Sequence, residues 1–279
     1  MKKLMFAAAA IAAGVAVADV TSANVVGYQG VTKPTGCQYS MAGSMFIAPG
    51  AEDFSLADIN ITWDAGSAIM KNQANSRTQS IQFMASGAAP VLDKSRVFYR
   101  CLADGKWYRK GDSVAKDVWI PDPTTNKFAA GTGFLCNFSR AATITFAGEV
   151  VTGGAEKKFS FAKPSGCQYF IASNISGRKI CINELDITWT AGSAILKNQA
   201  NSRTQAIQFF SSGAAPILDK KRVYYRCLAD GKWYLKGDAV AKDVELTGTE
   251  LTDVTINAGE AFLCNFSKAG SAVTVPTGL

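Results

Sequence analysis

The chain has 279 residues and a formal net charge of +7, from 29 Lys and Arg against 22 Asp and Glu, and it has no histidine. The missing histidine excludes Ser-His-Asp and Cys-His nucleophile systems, and it excludes His-ligated zinc, copper and non-haem iron sites. The basic residues are scattered among acidic ones, as on a solvated surface, so we expect no nucleic-acid partner. No motif for a metal or a cofactor is found, and neither is expected.

A targeting segment is predicted at the start of the chain. Lys2 and Lys3 precede an apolar run at residues 4–17, and Ala16-Val17-Ala18 has the small-x-small form of a cleavage site. We therefore predict a signal peptide at residues 1–18, with cleavage after residue 23 as the alternative. The run is too short for a membrane span, and no later segment is long and apolar enough. The sequence predicts a secreted or periplasmic protein without a membrane span.

Short strands dominate the mature chain. In order, the candidates are NVVGYQGV, CQYSMAGSMFIA, INITW, SAIMK, SIQFMA, GFLCNF and ATITFAG, with Gly, Asp, Asn or Pro in the turns between them. FSLADI has Ser55 three residues before Asp58, which is the spacing of a capping box, and it predicts one helical turn. Seven or eight short strands at this spacing are typical of a β-sandwich or a small barrel.

A β-hairpin is predicted at VFYRCLADGKWYRKG. Asp104-Gly105 lies between two aromatic and β-branched runs, and the tight turn needs a positive φ at glycine. Alternation places Val97, Tyr99 and Cys101 on one face of the first strand. Phe98, Arg100 and Leu102 lie on the other face, which we expect to be partly wet.

The hairpin recurs because the chain contains two copies of one unit. Residues 62–118 align without gaps to residues 188–244, with ten differences in 57 positions. Outside this middle block the match is looser, and its offset changes from 126 to 130 at KPSGCQYF and to 128 at FLCNFSKA. We predict an all-β protein of two tandem homologous domains, at residues 24–150 and 159–279, joined by a linker at 151–158. Either the middle block is constrained or gene conversion keeps it uniform.

The unit resembles a group of uncharacterised secreted bacterial β-rich proteins, known mainly from verrucomicrobial and related lineages. The resemblance depends on the start Asn24-Val25-Val26-Gly27-Tyr28, the segment Gly131-Thr132-Gly133-Phe134-Leu135 and the close Thr145-Phe146-Ala147-Gly148-Glu149-Val150. It covers the first copy from end to end, whereas the second copy lacks the N-V-V-G-Y start. The group implies no activity and no functional residue for this chain.

Cysteines occur in equivalent pairs. Cys101 shares a face with Val97 and Tyr99, and Cys136 shares one with Phe134 and Phe138. We expect Cys101 and Cys136 to be buried on neighbouring strands, and likewise Cys227 and Cys264 in the second copy. They are either disulfide pairs or unpaired buried small hydrophobes, and the second interpretation is favoured because domains of this size need no disulfides.

Ligand-binding candidates come from the polar stretch KNQANSRTQ and from the aromatic pair that follows the hairpin turn. In a sugar-binding site, flat aromatic rings stack on the sugar faces while amide and guanidinium groups hydrogen-bond the hydroxyls. For the aromatic pair the favoured interpretation is different, namely that the Trp and Tyr rings are buried and only their polar tips contact water. The polar stretch, which is repeated in the second copy, is expected in a surface loop or at a strand edge. The candidates are Asn72, Arg77, Trp107, Tyr108, Asn198, Arg203, Trp233 and Tyr234.

These observations predict a secreted, non-catalytic surface, matrix or interaction protein. A tandem carbohydrate-binding module is the alternative, with a polysaccharide or a cell-surface molecule as the partner. A glycoside hydrolase that uses two carboxylates is a third hypothesis. It is disfavoured because Asp64 is replaced by Thr190 in the second copy, and because turns already account for Asp104 and Asp112. The oligomeric state is left open.

Overall fold

The structure is a computed structural model. It describes residues 26–33, 39–47, 52–63, 79–84, 92–101, 104–111, 116–138, 140–150, 158–163, 169–189, 205–210, 218–227, 230–237, 242–266, 268 and 270–277. The predicted signal peptide, Cys37, Cys167 and most of the predicted linker lie outside these residues. So does the stretch KNQANSRTQ with its second copy, except for the last residue of each, Gln79 and Gln205, which are buried. Within the described part, strands dominate in several small antiparallel sheets with a propeller-like arrangement, which confirms the all-β class.

Twelve strands belong to the first copy. They are β1 (Val26–Thr32), β2 (Tyr39–Gly43), β3 (Phe46–Ile47), β4 (Asp53–Ser55), β5 (Ile59–Trp63), β6 (Gln79–Met84), β7 (Leu92–Arg100), β8 (Trp107–Arg109), β9 (Val118–Trp119), β10 (Lys127–Ala129), β11 (Gly133–Phe138) and β12 (Ala142–Val150). Two 3-10 turns, at Leu56–Asp58 and Pro123–Thr125, complete this set.

Eleven strands and one short helix belong to the second copy. They are β13 (Lys158–Ala162), β14 (Tyr169–Ser173), β15 (Ile180–Cys181), β16 (Asp186–Thr188), β17 (Gln205–Phe210), β18 (Leu218–Arg226), β19 (Trp233–Leu235), β20 (Val244–Glu245), α1 (Glu250–Asp253), β21 (Thr255–Ile256), β22 (Ala261–Phe266) and β23 (Ala272–Pro276). A 3-10 turn lies at Ile182–Glu184.

The six-stranded sheet has the same strand order in both copies, whereas the second sheet has four strands in the first copy and three in the second. A six-stranded sheet has the order β2-β11-β6-β7-β8-β9 in the first copy and β14-β22-β17-β18-β19-β20 in the second, which is the same order of equivalent strands. The first copy also has a sheet of β1, β12, β3 and β5 and a two-stranded sheet of β4 and β10. The second copy has a three-stranded sheet in the order β13-β23-β16 and a two-stranded sheet of β15 and β21. Every ladder between these strands joins strands of one copy.

The core of the first copy lies between its six-stranded and four-stranded sheets. Phe83, Phe98 and Phe134 come from the first sheet and are at most 3% exposed, and they cluster with Ile144 and Phe146 from the second. Phe98 therefore lies in the core, so the expectation of a partly wet face fails at this residue, because its side of the sheet faces the four-stranded sheet. Arg100, on the same side of β7, is half-buried.

Local sequence signals form as predicted at the turn after β4. The Ser55 amide donates to Asp58 Oδ2 at 2.7 Å, and the Ala57 amide donates to Ser55 Oγ at 3.2 Å. Both halves of the predicted capping box are therefore present. In the second copy Cys181 replaces this serine, and its amide donates to Glu184 Oε1 at 2.8 Å.

The six-stranded sheets of the two copies pack against each other through their outer faces. Leu135 of β11 clusters with Ile171 of β14 and with Ala261 and Leu263 of β22, all at most 5% exposed. This contact explains why all six residues of β11 are buried, since its alternate side chains face either the core or the other copy.

Two backbone contacts give this interface a local two-fold character. The Gly43 amide donates to the Gly259 carbonyl at 3.2 Å, and the Ser173 amide donates to the Gly131 carbonyl at 3.0 Å. Ser173 is the counterpart of Gly43, and Gly259 is the counterpart of Gly131. Each bond is therefore the symmetry equivalent of the other, as in the isologous interface of a homodimer.

Candidate functional site

The hairpin between β7 and β8 organises the candidate site. Gly105 has a φ of +70°, as the Asp-Gly turn requires, and its amide donates to the Cys101 carbonyl at 2.7 Å. Asp104 Oδ1 accepts the Lys106 amide at 3.0 Å. Gly231 has a φ of +72° in the second copy, where the same bonds recur. The predicted hairpin is confirmed in both copies.

A stacked tyrosine pair lies against each hairpin. Tyr99 and Tyr108 are partners across the β7–β8 ladder, with ring centroids 5.4 Å apart and ring planes 17° apart. The Tyr99 hydroxyl donates to Asp117 Oδ2 at 2.6 Å, and the Tyr108 hydroxyl donates to Asp104 Oδ2 at 2.6 Å. The other oxygen of Asp117 accepts the Gly111 amide at 2.8 Å. The buried hydroxyls are thus satisfied, and the carboxylates hold the loops that flank β8.

The second copy reproduces this arrangement closely. Tyr225 and Tyr234 have centroids 5.3 Å apart and ring planes 18° apart, and their hydroxyls donate to Asp243 at 2.7 Å and Asp230 at 2.6 Å. Asp243 also accepts the Gly237 amide at 2.8 Å.

The charge states of these groups suit a structural role. The hydrogen bond to Asp104, helped by burial, raises the pKa of Tyr108 to about 12. Burial disfavours the ionised form of Asp104, but hydrogen bonds from Tyr108 and the Lys106 amide outweigh it and lower the pKa of Asp104. Burial and the bond to Asp230 likewise raise the pKa of Tyr234. Because both pKa values move away from neutrality, the pair is poorly placed to exchange protons near pH 7.

The aromatic ligand candidates are buried. Trp107 is 6% exposed and Tyr108 3%, while Trp233 is 4% exposed and Tyr234 1%. An exposed stacking pair at these four positions is therefore contradicted, and the alternative of buried rings is confirmed. The physical reason is that the tryptophan after each turn points into the core, while the tyrosine packs on its stacked neighbour. Asn72, Arg77, Asn198 and Arg203 lie outside the described residues.

The four cysteines considered as possible disulfide partners are buried as expected, and all four are free thiols. They are Cys101, Cys136, Cys227 and Cys264. Cys136 lies on β11 and Cys101 follows β7, and β6 separates these strands in the sheet. The expectation of neighbouring strands, and with it the Cys101–Cys136 and Cys227–Cys264 disulfides, is wrong. Cys136 lies in the main core, whereas Cys101 packs with the tyrosine pair on the other side of the sheet. Burial raises the pKa of the Cys136 thiol to about 12, as expected for an inert side chain.

A cleft lies beside the hairpin of the second copy. Its volume is about 600 Å³, within the usual range for small-ligand sites, and its apolar lining includes Leu185, Trp233, Leu246 and Leu251. We call it the copy 2 cleft.

Two ion pairs line the copy 2 cleft. Arg226 pairs with Asp186, and its Nε also donates to the Gly231 carbonyl at 3.2 Å. Lys232 Nζ lies 2.7 Å from Glu245 Oε1. Each charge faces an opposite one, so the cleft offers both donors and acceptors to a polar ligand without strong net charge.

The first copy carries different residues at the equivalent positions. Asn60 replaces the acid and accepts a bond from Arg100, and Trp119 stands where the second copy has Glu245. Trp119 is 50% exposed, and the Lys106 ammonium lies 4.8 Å from its ring centroid. The same lysine position therefore makes a cation–π contact in one copy and an ion pair in the other.

Trp119 and Glu245 are not among the site residues predicted from the sequence. The signal for them lies at the end of the middle block, because 119 and 245 are the first differing positions after Val118 and Val244. Of the predicted site residues that the structure describes, only Trp233 lines the copy 2 cleft.

No family model, curated protein or solved structure matches this chain. In the described ranges, no helix has the length and apolar character needed to cross a membrane. No group of three or more His, Cys, Asp and Glu residues in those ranges is placed to hold a metal ion.

Proposed function

We propose that the protein is a secreted, non-catalytic interaction component of a cell surface or extracellular matrix, in which each copy forms its own sandwich-type β-domain. One observation carries this proposal. The large apolar side chains that are exposed in the described part of the chain are Val118 at 48%, Trp119 at 50% and Val244 at 51%. All three lie on β9 or β20, which form one edge of the six-stranded sheet in each copy.

Exposed apolar groups on an edge strand favour contact with a partner. Such strands offer unpaired backbone groups as well as apolar surface, and proteins usually shield them. The tyrosine pair and the two aspartates that accept its hydrogen bonds hold β8 and its flanking loops in place, and β9 pairs with β8. The edge is therefore held by a stiff support, as a binding surface requires.

A tandem carbohydrate-binding module is the second candidate, and the half-exposed ring of Trp119 favours it. One flat ring beside Lys106 can stack on a sugar, and the copy 2 cleft can hydrogen-bond hydroxyls through its two ion pairs. Two weak sites on one chain can gain about 10²–10⁴ in avidity on one polymer. A glycoside hydrolase is not proposed, because Asp186 and Glu245 are each already engaged by a cation.

The test uses the full mature chain, applied to isolated envelopes of the producing cells and to a panel of purified polysaccharides. We expect Trp119→Ala to weaken retention at least tenfold. Lys127→Ala removes an exposed side chain elsewhere in the first copy and serves as the matched control. Binding to envelopes but not to polysaccharides supports the interaction component, and Trp119-dependent polysaccharide binding supports the module. Absence of both, or equal losses in the two variants, overturns both proposals.

A further inference from the structure

Three glycines of the first copy line the interface between the copies, and none of them has room for a side chain. A Cβ added at Gly43 would lie 2.4 Å from the Ser173 Cβ, and one at Gly133 would lie 2.3 Å from the Ile171 Cγ2. A Cβ at Gly131 would lie 2.1 Å from the Phe161 Cζ. We call Gly43, Gly131 and Gly133 the glycine hollows, because side chains of the second copy occupy the space beside each.

Two of these contacts lie near the local two-fold axis. Ser173 is the counterpart of Gly43, and Ala261 is the counterpart of Gly133. Gly43 faces Ser173, and Gly133 faces both Ile171 and Ala261. A Cβ added at Gly133 would lie 3.1 Å from the Cβ of Ala261. At each position one copy has a hydrogen where the other has a side chain.

We infer that two of the glycine hollows, Gly43 and Gly133, make this interface a heterotypic docking surface. The first-copy face accepts the second-copy face, whereas two second-copy faces cannot pair. In such a pair Ser173 would meet another Ser173, and the Cβ of Ala261 would overlap Ile171. Real Cβ atoms do not approach to 2.4 Å, and a Cβ is fixed by its backbone, so no rotamer change can relieve the overlap between two Ser173 side chains.

Two first-copy faces would fit without overlap but would pack poorly. Gly43 would face Gly43, and Gly133 would face Met41, the counterpart of Ile171. Cavities would then remain beside the glycines, and the lost van der Waals contacts would destabilise the interface. The preference for pairing a first-copy face with a second-copy face also applies between two molecules of this chain. Contact through this face joins the first copy of one chain to the second copy of the other, and is therefore directional.

This inference also explains the uneven drift of the two copies. The glycine hollows and the residues that fill them lie outside residues 62–118 and 188–244, in the segments where the copies differ most. Met84 is the member of the middle block that contacts the interface cluster, and its counterpart Phe210 is one of the ten differences. Identical copies would bring identical residues together at the axis, and complementary packing would be lost.

The test is a substitution cycle in the full mature chain at one axis position. Gly43→Ser gives both copies a side chain and reproduces the excluded pairing, Ser173→Gly gives both copies a glycine, and the double variant exchanges the two. Protection against hydrogen exchange is measured for peptides that contain the Gly43 and Ser173 amides, which bond across the interface.

We expect protection to fall at least tenfold in Gly43→Ser, to fall less in Ser173→Gly, and to return to within about threefold of the parent in the double variant. Gly30→Ser is the matched control, since a Cβ there would meet nothing nearer than Thr143 at 3.7 Å. Unchanged protection in Gly43→Ser overturns the inference, and so does a double variant no better than Gly43→Ser. These readouts involve no ligand and do not depend on the proposed function.

Discussion

The middle block and the flanking segments of each copy differ in what they contact. The described strands of the block, β6 to β8 in the first copy, mainly support the hairpin and the tyrosine pair of their own copy, and Met84 at the end of β6 also contacts the interface cluster. The flanking strands β2 and β11 instead meet β14 and β22 of the other copy. A segment that serves its own copy can remain the same in both, whereas segments that meet across a local two-fold axis must become complementary.

Alkaline pH should act on both copies together and should give the largest effect. The raised pKa of Tyr108 means that the folded state binds the neutral tyrosine more favourably than the ionised one. The resulting stabilisation of the fold is complete below the ordinary tyrosine pKa near 10, and it is lost as the pH rises towards the folded-state pKa of about 12. Tyr234 follows the same direction. We expect thermal stability to fall steeply from about pH 10 to pH 12, with the slope reduced in Tyr108→Phe. A flat profile in the parent protein would contradict this.

Removing the aspartate that braces β8 should cost the same in either copy. Asp117→Ala leaves the Tyr99 hydroxyl and the Gly111 amide without their acceptor, and Asp243→Ala does the same to Tyr225 and Gly237. We expect each change to destabilise its own copy by about 2–3 kcal/mol, the usual cost of unsatisfied buried groups. Hydrogen exchange on peptides from each copy measures the two costs separately. Costs that differ by more than about 1 kcal/mol would break the equivalence of the blocks.

The N-cap residues of the equivalent 3-10 turns, Ser55 and Cys181, should contribute unequally to the stability of the two copies. Ser55→Ala removes the side-chain acceptor of the Ala57 amide and should destabilise the first copy by about 1 kcal/mol. The equivalent Cys181 contributes only a weak thiol contact to the Thr252 carbonyl at 3.4 Å, so Cys181→Ala should cost clearly less. Denaturant midpoints of the two single variants provide the comparison. Equal losses would show that the flanking segments have not diverged in function at this turn.

Sequence reasoning succeeded where a few neighbouring residues determine the structure. The Asp104-Gly105 turn and the Ser55 capping box depend on residues at most three positions apart, so their chemistry is visible in the sequence. The order of strands in a sheet is not local, and the place of β6 between β7 and β11 separates Cys101 from Cys136. The burial of Leu135 was equally hidden, because it depends on packing against the other copy. Trp119 and the copy 2 cleft arise from positions where the two copies differ.

The ion pair beside the copy 2 cleft should give the smallest difference between the copies. Asp186→Asn converts the Arg226–Asp186 pair into the neutral Asn60-type contact of the first copy. Both partners are partly exposed, so we expect a loss of about 0–1 kcal/mol that shrinks further in 1 M salt, where charges are screened beyond about 3 Å. Asn60→Asp is the reverse substitution and should add an equally small, salt-sensitive stabilisation to the first copy. Thermal unfolding of both variants at low and high salt measures these changes. If Asp186→Asn costs several kcal/mol at high salt, Asp186 serves the second copy through packing or hydrogen bonding and not through its charge.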